Sequence, residues 1–144
     1  MFRKIAVAYE ENPESARALQ RAFELAKLLH LSLTILMVAE PLPAYTAFSA
    51  ALDPSAMQTL EADRMKFYEK VKEQIAVRGK AEGVGVSVHI LEGDTVRTIV
   101  SFVDTQGVDL LIVGLHRRTL RLSSLWSTVY SLAQELTCSV LGVH

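Results

Sequence analysis

Asp109-Leu110-Leu111-Ile112-Val113-Gly114 is the stretch that decides the fold. Four aliphatic residues in a row, with nothing polar between them, describe a strand covered on both faces. Strands of that kind occur mostly in parallel sheets sandwiched between helices. In open α/β sheets, ligands sit in the loops that leave the carboxyl ends of such strands. Here that loop begins Leu115-His116-Arg117-Arg118-Thr119 and runs past Arg121 to Thr128. Function therefore narrows to this loop and to whatever the sheet brings beside it.

The rest of the chain alternates strand and helix. Ile5-Ala6-Val7-Ala8-Tyr9 reads as a short buried strand ending at an acidic turn, Glu10-Glu11-Asn12-Pro13. Pro13 suits the first turn of a helix, where its missing N–H is not needed. Ala16, Leu19, Ala22, Phe23, Ala26 and Leu29 follow at helical spacing, predicting a helix to about His30. A second buried strand, Leu33 to Val38, stops at Glu40-Pro41. The segment Pro41 to Pro54, with Tyr45 and Phe48, has no clear period and is long for a plain connection. Ser55 and Gln58 fit a capping box for a long helix with Leu60, Phe67, Val71 and Ile75 as its apolar positions. Gly79 to Gly83 ends it. Val84 to Leu91 alternates, which predicts a strand at a sheet edge. Asp94 can cap a helix whose Val96, Ile99, Val100 and Val103 share a face. After the Arg-rich loop come a helix with Val129, Leu132, Ala133 and Leu136, and a last strand, Ser139 to Val143. Strand–helix alternation implies a parallel sheet with right-handed crossovers, so the expectation is one α/β domain over residues 1–144.

Composition narrows the class further. A chain of 144 residues, half of them hydrophobic and 22% charged, is long enough for one well-formed core. The net charge of −1 supplies no field to draw the protein onto DNA or anionic lipid. The single cysteine, Cys138, cannot make an internal disulfide, which suits a reducing cytoplasm. The apolar run behind Met1-Phe2-Arg3-Lys4 meets Glu10-Glu11 too soon for a signal-peptide core or a membrane span.

Several pieces in this order resemble the universal stress protein family. They are Ile5-Ala6-Val7-Ala8-Tyr9-Glu10 with Ser15 and Ala18-Leu19, then Gly93-Asp94, then Gly107 through Gly114 with His116, Arg118 and Thr119, and finally Cys138-Ser139-Val140-Leu141. No single piece is specific, but together they span the chain. The resemblance implies an open five-stranded parallel sheet in the order 3-2-1-4-5 with helices on both faces. Strands 1 and 4 would then be neighbours, and Glu10, Val38, Gly114 and His116 would share one crevice. Arg117, Arg118, Ser127 and Thr128 complete that candidate anion or nucleotide site.

Members of the family that bind ATP carry Gly-x-x-Gly, nine further residues, then Gly-Ser or Gly-Thr. In this chain Gly114 keeps the first glycine, Arg117 replaces the second, and the final pair reads Ser127-Thr128. Leu120 stands where binders often have glycine, and Glu10 replaces their usual aspartate. Glycines in such loops let backbone N–H groups close on phosphate oxygens without a Cβ in the way. Side chains from Arg, Leu and Ser crowd that cradle, so the expectation is no cofactor, with ATP or AMP as the alternative. Against it, Arg117, Arg118 and Arg121 offer charge-assisted contacts to an anion, and Thr128 lies near a helix start.

No enzymatic constellation emerges. His116 reads most simply as a loop histidine bonded to its own turn, since no nucleophile accompanies it. Glu10 and Glu11 point oppositely in an extended segment and read as a solvated turn, with Glu10 facing the crevice. His30, His89, His116 and His144 lack metal-ligand spacing. Ser123, Ser124 and Ser127 lack a Gly-x-Ser-x-Gly context and read as helix caps, while Trp126 reads as packing rather than a stacking platform. His-x-Gly-His, Ser-Gly-Gly-x-Asp and the Walker loop are all absent. The expected function is a non-enzymatic stress or regulatory protein. Its last strand, Ser139-Val140-Leu141-Gly142-Val143, would be an apolar edge without Lys or Pro, the kind of edge that pairs with a second copy.

Overall fold

The computed structural model describes residues 1–39, 41, 51–116 and 128–144. In chain order the elements are β1 (Ile5–Ala8), α1 (Pro13–Leu29), β2 (Leu33–Ala39), α2 (Pro54–Glu82), β3 (Val86–Glu92), α3 (Thr95–Gln106), β4 (Leu110–Gly114), α4 (Thr128–Glu135) and β5 (Ser139–Val143). The strands form one sheet in the order β3-β2-β1-β4-β5, as expected. Every neighbouring pair is parallel, with Ile5 opposite both Leu33 and Leu110.

Alternate residues of the central strands face two separate cores. Ile5, Val7, Leu33, Ile35, Leu110 and Ile112 pack against Leu19 and Phe23 of α1 and Val71 and Ile75 of α2. Ala6, Leu36, Leu111 and Val113 pack on the other face, against Ile99 and Val103 of α3 and Leu132 of α4. The period of two sends successive side chains to opposite faces. With helices on both, neither face of β4 needs a polar residue. Leu111 and Ile112 are both 0% exposed, and burial of such a side chain contributes about 2 kcal/mol.

Asp109, just before β4, joins β4 to the start of β1. Its carboxylate accepts the backbone N–H groups of Arg3 at 2.8 Å and Lys4 at 3.0 Å. Burial pushes its pKa up, but these N–H groups outweigh that and hold it below the ordinary aspartate value.

Some expectations require correction. The cap of α2 is Asp53, whose side chain accepts the Ala56 N–H, with Pro54 as the first helical residue; Ser55 instead donates its hydroxyl to Asp53. Val71, Ile75 and Gly79 are the buried residues of α2, whereas Leu60 and Phe67 are 46% and 47% exposed. A 29-residue helix is about 43 Å long at 1.5 Å per residue, about twice the span of a seven-residue strand such as β3, so only part of α2 can lie on the sheet. Ala16 and Ala133 face solvent. On α1 the buried stripe runs through Ser15, Ala18, Leu19, Ala22, Phe23 and Ala26 instead. Val84 is buried but precedes β3, which starts at Val86. The expected edge position of β3 and the Asp94 cap of α3 both hold. Residues 42–50, with Tyr45 and Phe48, lie outside the described residues. Among those described, no helix is long and apolar enough to cross a membrane.

Candidate functional site

Because β1 and β4 are neighbours, their carboxyl ends lie side by side. The chain leaves β1 for α1 on one face of the sheet and meets α4 on the other. That reversal of winding is where open α/β sheets leave a crevice. A cleft of about 620 Å³ opens there. Its apolar lining includes Leu36, Ile99, Val113 and Leu132, all buried. Its polar lining includes Glu10, Asn12, Glu14, Thr95, His116 and Thr128, all exposed or half-buried.

Asn12 organises the first side of the cleft. As the cap of α1 it accepts the Ser15 N–H at 2.7 Å through its side-chain oxygen. Its amide nitrogen donates to Glu10 Oε2 at 3.1 Å, fixing that carboxylate. Next to it, the Tyr9 hydroxyl donates to Glu11 Oε1 at 3.1 Å, so the two adjacent glutamates take different partners. Burial, and then the neighbouring Glu11 charge, pushes the Tyr9 hydroxyl pKa up.

Glu14, in the first turn of α1, reaches across to the loop after β4. His116 Nδ1 lies 2.9 Å from Glu14 Oε1. A carboxylate only accepts, so the shared proton belongs to Nδ1. This replaces the expected bond of His116 to its own turn: the partner lies 102 positions away in the chain. The Glu14 side chain is 19% exposed and that of His116 is 70%. Glu14's own backbone N–H, and then the His116 hydrogen bond, hold its carboxyl below the usual glutamate value.

Gly114 meets the same turn of α1. A Cβ at that position would lie 2.5 Å from both the carbonyl carbon and oxygen of Glu14 and 2.8 Å from the Ser15 nitrogen. Packing of α1 on the end of β4 is therefore sufficient reason for a glycine there.

The cleft brings together five of the expected site residues: Glu10, Val38, Gly114, His116 and Thr128. Arg117, Arg118 and Ser127 lie outside the described residues, as do Leu120, Arg121, Ser123, Ser124 and Trp126. Sequence reading missed Asn12, Glu14 and Thr95 as cleft residues. Pro13 contained the hint for the first two, since a helix starting there sets them at the carboxyl end of β1. Thr95 follows the Asp94 cap, but no local pattern reveals that α3 reaches a crevice centred on β1 and β4. Among the described residues, no group of three or more His, Cys, Asp or Glu side chains is placed to hold a metal ion.

The whole chain is similar to known proteins. It is 25% identical to universal stress protein A homolog 1 of Coxiella burnetii over 144 residues, covering 99% of this chain and 96% of that one. The fold matches a universal stress protein family structure from Burkholderia pseudomallei with a TM-score of 0.73 at 23% identity, covering 99% of this chain and 96% of that one. It also matches a universal stress protein in complex with cAMP, with a TM-score of 0.65 at 24% identity and coverage of 99% and 97%. The model of the universal stress protein family matches residues 1–144, from one end to the other, and the chain belongs to that family.

Proposed function

We propose that this chain is a non-enzymatic, cytoplasmic stress-response or regulatory protein that does not hold ATP in the manner usual for its family. The observation that carries this reading is the contact between Gly114 and α1. Gly114 is the one glycine of the ATP-binding pattern that the chain keeps, and a Cβ there would collide with the backbone of Glu14. Its retention is thus accounted for without a phosphate. At the other positions of the pattern the sequence has Arg117, Leu120 and Ser127, residue types that carry a Cβ where a backbone phosphate cradle uses glycine. Mass spectrometry of nucleotide released from purified protein, with a fluorescent-ATP titration, tests the reading. No co-purifying ATP and no saturable binding at micromolar concentration are expected; a dissociation constant in the low micromolar range overturns it.

A second reading is an adenine-nucleotide sensor with a modified phosphate loop, binding ATP or AMP. Its support is the cleft itself, about 620 Å³, within the roughly 300–1,000 Å³ usual for small-molecule sites. The similar protein solved in complex with cAMP adds to it. The same titration, run with AMP, separates the two.

The protein is further proposed to act as a homodimer through β5. This strand is the sheet edge beside β4, with Leu141 41% exposed, and a two-fold axis lets such an edge pair with its own copy.

A further inference from the structure

We infer that Glu14 sets the ligand class of the cleft. Its carboxylate, held on His116, screens the cleft against phosphate-bearing ligands and favours uncharged ones with hydroxyl or amine groups, such as a nucleoside. The inference rests on the reading that the usual ATP mode is lost, and goes further by assigning a residue and a ligand class.

Three features support it. Glu14 and His116 both line the cleft, and the 2.9 Å hydrogen bond between them occupies the Nδ1 proton that would otherwise be available to an anion. The backbone of Glu14 lies against Gly114, which fixes where its side chain starts, and the hydrogen bond to His116 holds the carboxylate at the cleft. The start of α1 is also already satisfied from within. The Ser15 N–H goes to the Asn12 side chain and the Ala16 N–H to the Asn12 carbonyl. First-turn amides that commonly receive anions are therefore engaged. A second carboxylate, Glu10, fixed by Asn12, faces the same space. Carboxylates repel a phosphate, yet they accept hydrogen bonds from hydroxyl and amino groups. The half-buried Val38, Leu115 and Val129, above the buried Leu36, Ile99, Val113 and Leu132, supply an apolar surface for a flat ring.

Isothermal titration calorimetry of the full chain with adenosine, AMP and ATP tests this in wild type, Glu14→Gln and His116→Gln. Wild type should prefer adenosine to AMP. Glu14→Gln, which removes the charge while its amide oxygen still accepts the His116 Nδ1 proton, should raise AMP affinity about tenfold while adenosine changes by less than about twofold. His116→Gln leaves the Glu14 charge in place and should not raise AMP affinity. A mere latch across the cleft mouth would make both variants move AMP the same way, and that result overturns the inference. So do parallel changes for adenosine and AMP in Glu14→Gln, no AMP binding to that variant, or no adenosine binding to any of the three proteins. Glu14→Ala provides a second carboxylate-free variant with the same expectation, should Glu14→Gln fold poorly. Low-micromolar ATP binding by wild type would overturn the parent reading and the inference together, whereas parallel changes for adenosine and AMP in Glu14→Gln, with no ATP binding by wild type, would overturn the role of Glu14 alone.

Discussion

Glu14 and Gly114 are so close that a single added methyl group on Gly114 would lie 2.5 Å from the Glu14 carbonyl. The atoms it would meet are backbone, so no side-chain rotation relieves the clash. That contact fastens α1 to the carboxyl end of β4 and so fixes one wall of the cleft.

Gly114→Ala should therefore cost about 2 kcal/mol of stability, as overpacking typically does, read by denaturant unfolding. Gly142 in β5 is the control. A Cβ there would be 2.6 Å from Leu115 Cδ1, the end of a side chain that can turn aside. Gly142→Ala should cost under about 1 kcal/mol. Equal costs at the two sites would mean that the α1 contact is not the constraint at Gly114.

Asp109 predicts an acid dependence of stability. Its pKa is depressed in the folded protein from an ordinary value of 3.8. A depressed carboxylate contributes stability that is fully present above the unfolded value and is lost as pH falls through the folded one. Unfolding free energy measured from pH 6 down to about pH 2 should fall in wild type, and less steeply in Asp109→Asn. At neutral pH the Asn variant should be less stable by about 1 kcal/mol, since charged hydrogen bonds to the Arg3 and Lys4 amides are weakened at a half-exposed site. Identical pH profiles for the two proteins would remove Asp109 from the account.

How much the sequence revealed depended on whether the physics was local. The uninterrupted Leu110 to Val113 run and the alternation of strand with helix implied the parallel sheet, because a two-sided strand needs two covering layers. Strand order is not a local property and came from the family resemblance. Leu60 and Phe67 have helical spacing with Val71, but spacing cannot say where a long helix runs beyond the sheet, and both are exposed. Ala16 failed for a related reason: alanine is small enough to suit either side of a helix, so it identifies the buried stripe weakly. In the site, Glu10 and His116 were found because the family pattern points to them. Glu14 was not, because its role is created by β1 lying next to β4, which brings together residues 102 positions apart.

The altered phosphate loop makes its own prediction. If side chains at Arg117, Leu120 and Ser127 block a backbone cradle, then Arg117→Gly, Leu120→Gly and Ser127→Gly together should raise ATP affinity, measured by fluorescent-ATP titration. No gain would locate the obstacle elsewhere, with Glu14 next in line. Combining the triple variant with Glu14→Gln should then give an additive gain if the two obstacles are independent.

The last prediction concerns β5. It pairs with β4 on one side only, leaving the backbone groups of its other edge without a strand neighbour in this sheet. Leu141 at 41% exposure and Leu28 of α1 at 74% lie together along that edge and line a shallow groove with Leu25 and Val143. Pairing of two β5 strands about a two-fold axis would satisfy the free edge and cover these side chains at once. Leu141→Lys introduces a charge of the kind that natural edge strands use to prevent pairing. In light scattering at micromolar concentration, wild type should run as a dimer and Leu141→Lys should shift toward monomer. Leu28→Lys should weaken the dimer less, because that residue lies on the helix beside the paired strands rather than within them. A monomeric wild type, or a Leu141→Lys protein that remains fully dimeric, would rule out β5 as the interface.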